Sequence, residues 1–223
     1  MTAALELVGA SAGYGSVEVL HGVDMTFPAG AIVALVGRNG AGKSTALRCL
    51  AGLVPVRSGQ IRRDGRDITR TSARQRASSG IILIPDERGT FAELTVAENL
   101  DILGGGNAPD AALELFPELA GRLAQRAGTL SGGEQQMLAL SRVFIRPAGV
   151  VLVDELSRGL SPAVTARCYA ALAALRIDTG RAVVVVEQYL HDVMRLADIV
   201  YVMARGQVVF VGEPGELTAE HAF

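Results

Sequence analysis

The sequence predicts an α/β protein: a parallel β-sheet covered by helices. Three observations predict it. Short, continuous apolar runs alternate with helical segments along the chain. One run leads into a glycine-rich loop that opens a helix, and a later run ends in two adjacent carboxylates. Buried parallel strands have this continuous apolar character because both of their faces are covered.

The elements follow in order. "LELVGASAGYG" and "VEVLHGVDMTF" alternate loosely and read as strands with turn residues at their ends. "AIVALVG", Ala31 to Gly37, reads as a buried parallel strand, and a helix is expected from about Lys43 to Leu50. "GQIRRDGRDI" reads as a surface strand and turn, and "TSARQRASS" as the solvated face of a helix before the strand "IILIP". Thr95 and Glu98 have capping-box spacing. "APDAALELFPELAGRLAQRA" reads as helical, broken at Pro117. The stretch from about Ser72 to Gln125 is the one mostly helical insert. "GVVLVDE", "AVVVVEQ" and "ADIVYVMARG" read as further core strands. Between the first two, Pro162 suits a first helical turn, and Val164, Cys168, Leu172 and Leu175 share one helical face.

Composition narrows the class. The 223 residues suffice for one large domain or two small ones. A net charge of −2 gives no general pull toward nucleic acid. No apolar run approaches the roughly 18–20 residues of a membrane helix, and the N-terminus lacks the form of a signal peptide. The expected location is therefore the cytosol. Cys49 and Cys168 lack metal or disulfide spacing and read as packing residues. His21, His191 and His221 are scattered and are assigned no chemistry.

Gly37-x-x-x-x-Gly42-Lys43-Ser44 matches the phosphate-binding loop in full, between a strand and a helix. Glycines let backbone N–H groups turn toward phosphate oxygens, and the helix N-terminus adds positive potential. The candidate triphosphate-binding residues are Gly37, Arg38, Asn39, Gly40, Ala41, Gly42, Lys43, Ser44 and Thr45. Lys43 reaches the β- and γ-phosphates, and Ser44 offers its hydroxyl to Mg²⁺. This loop alone also fits GTPases and kinases. Asp154 and Glu155, ending "VVLVDE", narrow the choice. Asp154 is placed to hold Mg²⁺, and Glu155 to orient or deprotonate an attacking water.

"LSGGEQQ", Leu130 to Gln136, interrupts apolar sequence with a bare Ser-Gly-Gly before a helix expected near Glu134. Ser131 can cap that helix, and Gly132 and Gly133 leave the backbone open to an anion. With the phosphate loop and the Asp-Glu strand, this stretch resembles the signature of the ABC-type ATPases over essentially the whole chain. The resemblance implies one ABC ATPase domain spanning 1–223. Its parts would be a RecA-like core, an antiparallel β subdomain and a helical subdomain at approximately 86–145. It also implies that Ser131, Gly132, Gly133 and Glu134 serve the nucleotide of a second ATPase subunit. By the same resemblance Tyr14 stacks on adenine, Asp86 takes the position of a glutamine that contacts Mg²⁺ and the membrane partner, and Gln188 replaces a histidine that senses the γ-phosphate. Leu156 and Ser161 stand where a proline and an aspartate are usual.

"VLHGVDM", "ELTVAENL", "GLSP" and "VVEQ" are similar to the branch that imports branched-chain amino acids, with relatives for urea and short amides. The chain's early end after "VVFVGEPGELTAE" fits that branch, in contrast to members with C-terminal regulatory domains. The resemblance implies an ATP- and Mg²⁺-dependent ATPase, peripheral on the inner face of the cell membrane. It would be bound to permease subunits and served indirectly by a solute-binding protein, with no nucleic-acid partner. Two rival readings stand beside this one. The first is a low-turnover regulatory subunit of an asymmetric heterodimer. The second is a non-transport ATPase acting on nucleic acid, against which the single phosphate loop and the lack of a basic stripe argue.

Overall fold

The computed structural model describes residues 3–86, 89–104, 109–187 and 193–218, with the backbone alone given for 176–179. Two sheets form the frame. The larger is built from β3 (Ile32–Val36), β6 (Ile81–Ile84), β7 (Val150–Asp154), β8 (Ala182–Glu187), β9 (Ile199–Ala204) and β10 (Gln207–Gly212). Its order is β10-β9-β3-β8-β7-β6, parallel except for the antiparallel edge strand β10. The smaller sheet is antiparallel, with order β2-β1-β4-β5, formed by β1 (Ala3–Tyr14), β2 (Val17–Pro28), β4 (Val56–Arg63) and β5 (Arg66–Asp67).

The parallel strands separate two cores because successive side chains leave a strand on opposite faces. Ile32, Ala34, Val36, Val151, Val153, Val183 and Val185 enter one core. Val33, Leu35, Val150, Leu152, Val184 and Val186 enter the other. The first core is closed by α3 (Val96–Gly104), α4 (Asp110–Leu115), α5 (Pro117–Ala120), α6 (Gly132–Ile145) and α7 (Pro162–Thr179). The second is closed by α1 (Lys43–Leu50) and the β1–β2 hairpin. Every residue of β3, β7 and β8 is buried, which accounts for their unbroken apolar runs. Among the described residues no helix is long and apolar enough to cross a membrane.

The structure refines several sequence expectations. The mostly helical stretch from about Ser72 to Gln125 contains the expected strand, Ile81–Ile84, paired in parallel with β7. The helices α3 to α6 all lie between β6 and β7. The helical stretch around Pro117 breaks at Phe116 and passes into turn after Ala120, so it is shorter than its pattern indicates. On α7, Val164, Cys168 and Leu172 are buried and Leu175 is half-buried. Cys49 and Cys168 are free and buried, and burial pushes each thiol up to about 12, so both stay protonated packing groups. The His21 ring makes an exposed contact of 3.1 Å with Glu18, while His191 and His221 lie outside the described residues.

The basic segment before β6 departs most from expectation. It forms α2 (Ala73–Ser78), capped by a reciprocal Ser72–Gln75 box, with Arg74 and Gln75 exposed as predicted. Arg76, however, points inward and is 3% exposed. Its Nη1 donates to the carbonyls of Cys49 (2.6 Å) and Leu50 (3.0 Å), the last residues of α1. Its Nη2 donates to Ile68 (2.9 Å) and Thr69 (3.0 Å), and its Nε to Thr71 Oγ1 (3.1 Å). All five donors of the guanidinium are used. The cation therefore supplies the donor for Leu50 O, adds a second to Cys49 O, which also accepts from Gly52 N–H, and ties the end of α1 to the segment that follows β5. Arg76→Met, which takes the donor from the Leu50 and Thr69 carbonyls, is expected to cost on the order of 3 kcal/mol in urea denaturation. Arg76→Lys should recover less than half of the loss, because an ammonium lacks the fork. A loss under about 1 kcal/mol for Arg76→Met would contradict this account.

Candidate active site

The site lies at the carboxyl edge of the parallel sheet, where strands of matched register end together. Val36 pairs with Glu187, and Asp154 pairs with Val186. The loop 37–42 leaves β3 at this edge and opens α1. Arg38, Asn39 and Gly40 form its exposed crest, while Gly37, Ala41, Gly42, Lys43 and Thr45 are buried below. Gly42 precedes the helix at φ 103°, a conformation that only glycine adopts without strain.

Lys43 is 6% exposed and folds back over the loop. Its Nζ donates to Gly37 O at 2.6 Å and Arg38 O at 3.2 Å. Burial holds its ammonium below the usual lysine range, opposed by the charges of Glu155, Asp154 and Glu187. Ser44 Oγ donates to Asp154 Oδ1 at 3.0 Å. Asp154 is 2% exposed. Its carboxyl is pushed up to about 6 by burial, with the Ser44 hydrogen bond opposing the rise and the charges of Asp86 and Glu155 adding to it. A hydroxyl and a carboxylate are the hard oxygen donors that Mg²⁺ takes, so this pair fits the cation. Among the described residues no group of three or more His, Cys, Asp or Glu could hold a metal. A cation here therefore depends on phosphate and water oxygens to complete its shell.

Glu155 follows the strand with φ 52°, an uncommon conformation for a residue with a side chain. Its N–H donates to Val186 O at 3.0 Å, and its side chain remains partly exposed. Arg158 Nη1 sits 3.6 Å from Glu155 Oε2 and 3.5 Å from Asp86 Oδ2. Arg48 Nη2 lies 3.6 Å from Asp86 Oδ1, and Arg48 Nη1 reaches the Tyr14 hydroxyl at 3.4 Å. Asp86 Oδ1 is buried and accepts no hydrogen bond. Asp86 is thus flanked by two arginines, with one oxygen still short of a donor. Tyr14 is 45% exposed, leaving its ring open to a planar ligand.

The signature stretch is built separately. Ser131 is the N-cap of α6, which begins at Gly132 rather than near Glu134. The cap is a reciprocal box: Glu134 N–H donates to Ser131 Oγ at 3.3 Å, and Ser131 N–H donates to Glu134 Oε2 at 2.9 Å. Glu134 is the third helical residue, which explains why the glycines belong inside the first turn. The Ser131 hydroxyl also donates to Glu134 Oε2 at 2.8 Å, and Arg122 pairs with the other oxygen at 3.2 Å. The Ser131 backbone N–H is the main cause holding the Glu134 carboxyl below its usual range. Ser131 and Gly132 are exposed. A Cβ on Gly133 would stand 2.9 Å from Gly159 O, so this glycine is required by close packing on the turn after Glu155. Among the described residues no hydrogen bond or ion pair joins Ser131 or Glu134 to the phosphate loop.

The structure thus brings Lys43, Ser44, Asp86, Asp154 and Glu155 together and leaves Ser131 facing outward. Gln188 lies outside the described residues. The sequence reading assigned no role to Arg48, Arg158 or Glu187. Arg48 stands one helical turn after Ser44, and Arg158 three residues after Glu155, spacings that place side chains together. Glu187 ends an apolar run as Asp154 does, a signal that was available but unused.

The sequence profile of the family described as "ABC transporter" matches residues 20–158. A probable branched-chain amino acid transport ATP-binding protein, LivF, of Archaeoglobus fulgidus is 37% identical, over 98% of this chain and 96% of its own. The high-affinity branched-chain amino acid transport ATP-binding protein BraG of Pseudomonas aeruginosa is 40% identical, over 88% of this chain and 87% of its own. Among solved structures, a dimeric bacterial ABC transporter cassette superposes with a TM-score of 0.84 at 20% identity, over 94% of this chain and 98% of that one.

The raised Asp154 carboxyl makes a pH prediction. Its folded value lies above the ordinary 3.8, so the folded chain holds that proton more tightly than the unfolded chain. The associated stability is complete below the unfolded value and is lost as pH rises through about 6. A rise of about two units corresponds to on the order of 3 kcal/mol. Without nucleotide or metal, Asp154→Asn should therefore melt several degrees above the parent chain at about pH 7.5, with the gap shrinking toward about pH 4.5. A gap that is constant with pH in thermal melts would contradict the assignment.

Proposed function

The chain belongs to the ABC transporter family, and we propose that it is the ATP-hydrolysing, energy-coupling subunit of an importer for branched-chain amino acids or related small amides. The observation that carries the ATPase reading is the convergence of Lys43, Ser44, Asp154 and Glu155 at one sheet edge. Support for the solute class is the pair of relatives, whose names specify branched-chain amino acid transport.

The mechanism follows from the side chains. The loop from Gly37 to Thr45 wraps the triphosphate, and Tyr14 offers its exposed ring to adenine. Lys43 exchanges its two loop carbonyls for the β- and γ-phosphates. Ser44 and Asp154, with Asp86 beside them, would hold Mg²⁺, which when bound would neutralise and polarise the phosphoryl oxygens. Glu155, turned off the strand end and partly exposed, orients and deprotonates the attacking water. Arg158, now paired with Glu155, must release it for that role.

A second copy or a paralogous subunit supplies Ser131, Gly132 and Gly133 across the nucleotide. In the isolated chain the Ser131 hydroxyl donates to Glu134, so it must turn outward to meet a γ-phosphate. That exchange gives the triphosphate a higher affinity for the closed pair than for the open chain, which any ligand-driven switch requires.

Permease contact fits the apolar cleft of about 260 Å³ between α2, β6 and α6, lined in part by Leu53, Ala77, Leu83, Pro85 and Arg142. Leu53, in the cleft lining, and Phe91 are exposed. Phe91 is held by the buried Asn99, which accepts from its N–H at 2.7 Å and donates to its carbonyl at 2.9 Å. This segment adjoins Asp86, so movement at the nucleotide reaches the membrane partner. Through that partner the chain is held on the inner face of the membrane.

Glu155→Gln is expected to keep ATP binding, to lower phosphate release by about 100-fold or more, and to accumulate an ATP-bound dimer on size-exclusion chromatography. Undiminished turnover in that variant would contradict the base assignment. For the transported solute, cells carrying Lys43→Ala in place of the parent chain should lose uptake of labelled leucine, isoleucine or valine. Unchanged uptake of these and of short amides would contradict the importer reading.

A further inference from the structure

Glu187 ends β8 with its carboxylate inside the protein, at 2% exposure. Three donors converge on it. Ser157 N–H reaches Oε1 at 2.9 Å, Ser157 Oγ reaches Oε2 at 2.9 Å, and the Tyr169 hydroxyl reaches Oε1 at 2.8 Å. Burial raises its carboxyl above the usual range, with the Glu155 charge adding to the rise and the Ser157 and Tyr169 hydrogen bonds opposing it. The Ser157 N–H requires an acceptor, and the two hydroxyls complete the set of partners around the buried carboxyl.

The contacts fall on the turn that carries the proposed base. Glu155 N–H donates to Val186 O, and two residues later Ser157 donates twice to Glu187. The turn closes on itself through Arg158 N–H to Glu155 O at 3.2 Å and Leu160 N–H to Ser157 O at 3.2 Å. Tyr169 belongs to α7, which starts just beyond this turn. The end of β8 is thus the anchor of the 155–160 segment, and the anchor is a buried, fully partnered carboxyl in low dielectric, where hydrogen bonds are strongest. Gly159, in the same segment, carries the carbonyl against which Gly133 packs. The fixed turn therefore also supports the signature.

We infer that Glu187 is a positioning residue for ATP hydrolysis: through Ser157 and Tyr169 it fixes the turn that aims Glu155 and braces the signature helix. Its oxygens are taken by Ser157 and Tyr169 inside the protein, so it acts through the turn and contributes no proton. The inference rests on the ATPase reading above. It adds that the geometry of the base is set by strand β8 and not by β7 alone.

Steady-state phosphate release by the full chain with Mg²⁺ and ATP tests this, using Glu187→Gln, Ser157→Ala and the double variant. Displacing a catalytic group by about 1 Å costs up to about 100-fold, so kcat should fall by at least about tenfold in Glu187→Gln with KM for ATP within about twofold. Ser157→Ala should fall in the same direction. The double variant should be little slower than Glu187→Gln, because both changes break one linkage. A purely structural role predicts instead that loss of activity follows loss of folded protein and that the two defects multiply. Ser157→Ala replaces a small side chain and keeps the test open if Glu187→Gln fails to fold. Turnover by the parent chain with unchanged kcat in the folded variants, or multiplying defects, overturns this inference alone. Absence of turnover by the parent chain overturns the ATPase reading beneath it.

Discussion

The structure depends on the parallel register of β3, β8 and β7. Because Val36, Glu187, Val186 and Asp154 are aligned across three strands, whatever follows each strand emerges at one edge. Ligands bind at the carboxyl edge of open α/β sheets for this reason. Here β3 delivers the phosphate loop, β7 delivers Asp154 and Glu155, and β8 delivers Glu187. All three strands are buried on both faces, so a shift of one residue would move apolar side chains between the two cores. Hydrophobic packing thus enforces the alignment on which the polar site relies.

The polar site is costly in the absence of its ligand. A buried ammonium bonded to two loop carbonyls faces a buried carboxylate whose proton affinity is raised. Arg48 and Arg158 hold Asp86 and Glu155 from the outside. Each of these contacts stands where a phosphate oxygen, a cation or a water belongs in the proposed reaction. Preorganised charge of this kind is what catalysis by electrostatic stabilisation requires, because little reorganisation is left for the moment of reaction.

Much of this was legible in the sequence, for identifiable reasons. The five residues of β3 and the valines of β7 and β8 announce buried parallel strands because no polar side chain interrupts them. The phosphate loop was legible because glycine spacing, lysine and serine are all required at fixed positions. Ser131 was read correctly as a cap, but the helix start was misplaced because the weak helix formers Gly132 and Gly133 lie within the first turn. Arg76 was read as solvated because an arginine in a polar run usually is. Its inward turn depends on carbonyls from Cys49, Leu50, Ile68 and Thr69, which only the tertiary fold gathers. The Arg48–Asp86–Arg158 cluster was hidden for the same reason, since its members come from α1 and from the turns after β6 and β7.

At the centre of this account stands a cluster of carboxylates that repels a triphosphate until a divalent cation screens it. The direct measurement is ATP affinity of the full chain by titration calorimetry, with Mg²⁺ and with chelator. The account predicts markedly tighter binding with Mg²⁺, and that Asp154→Asn narrows the difference. Equal affinity in the two conditions, or tighter binding in chelator, would contradict it.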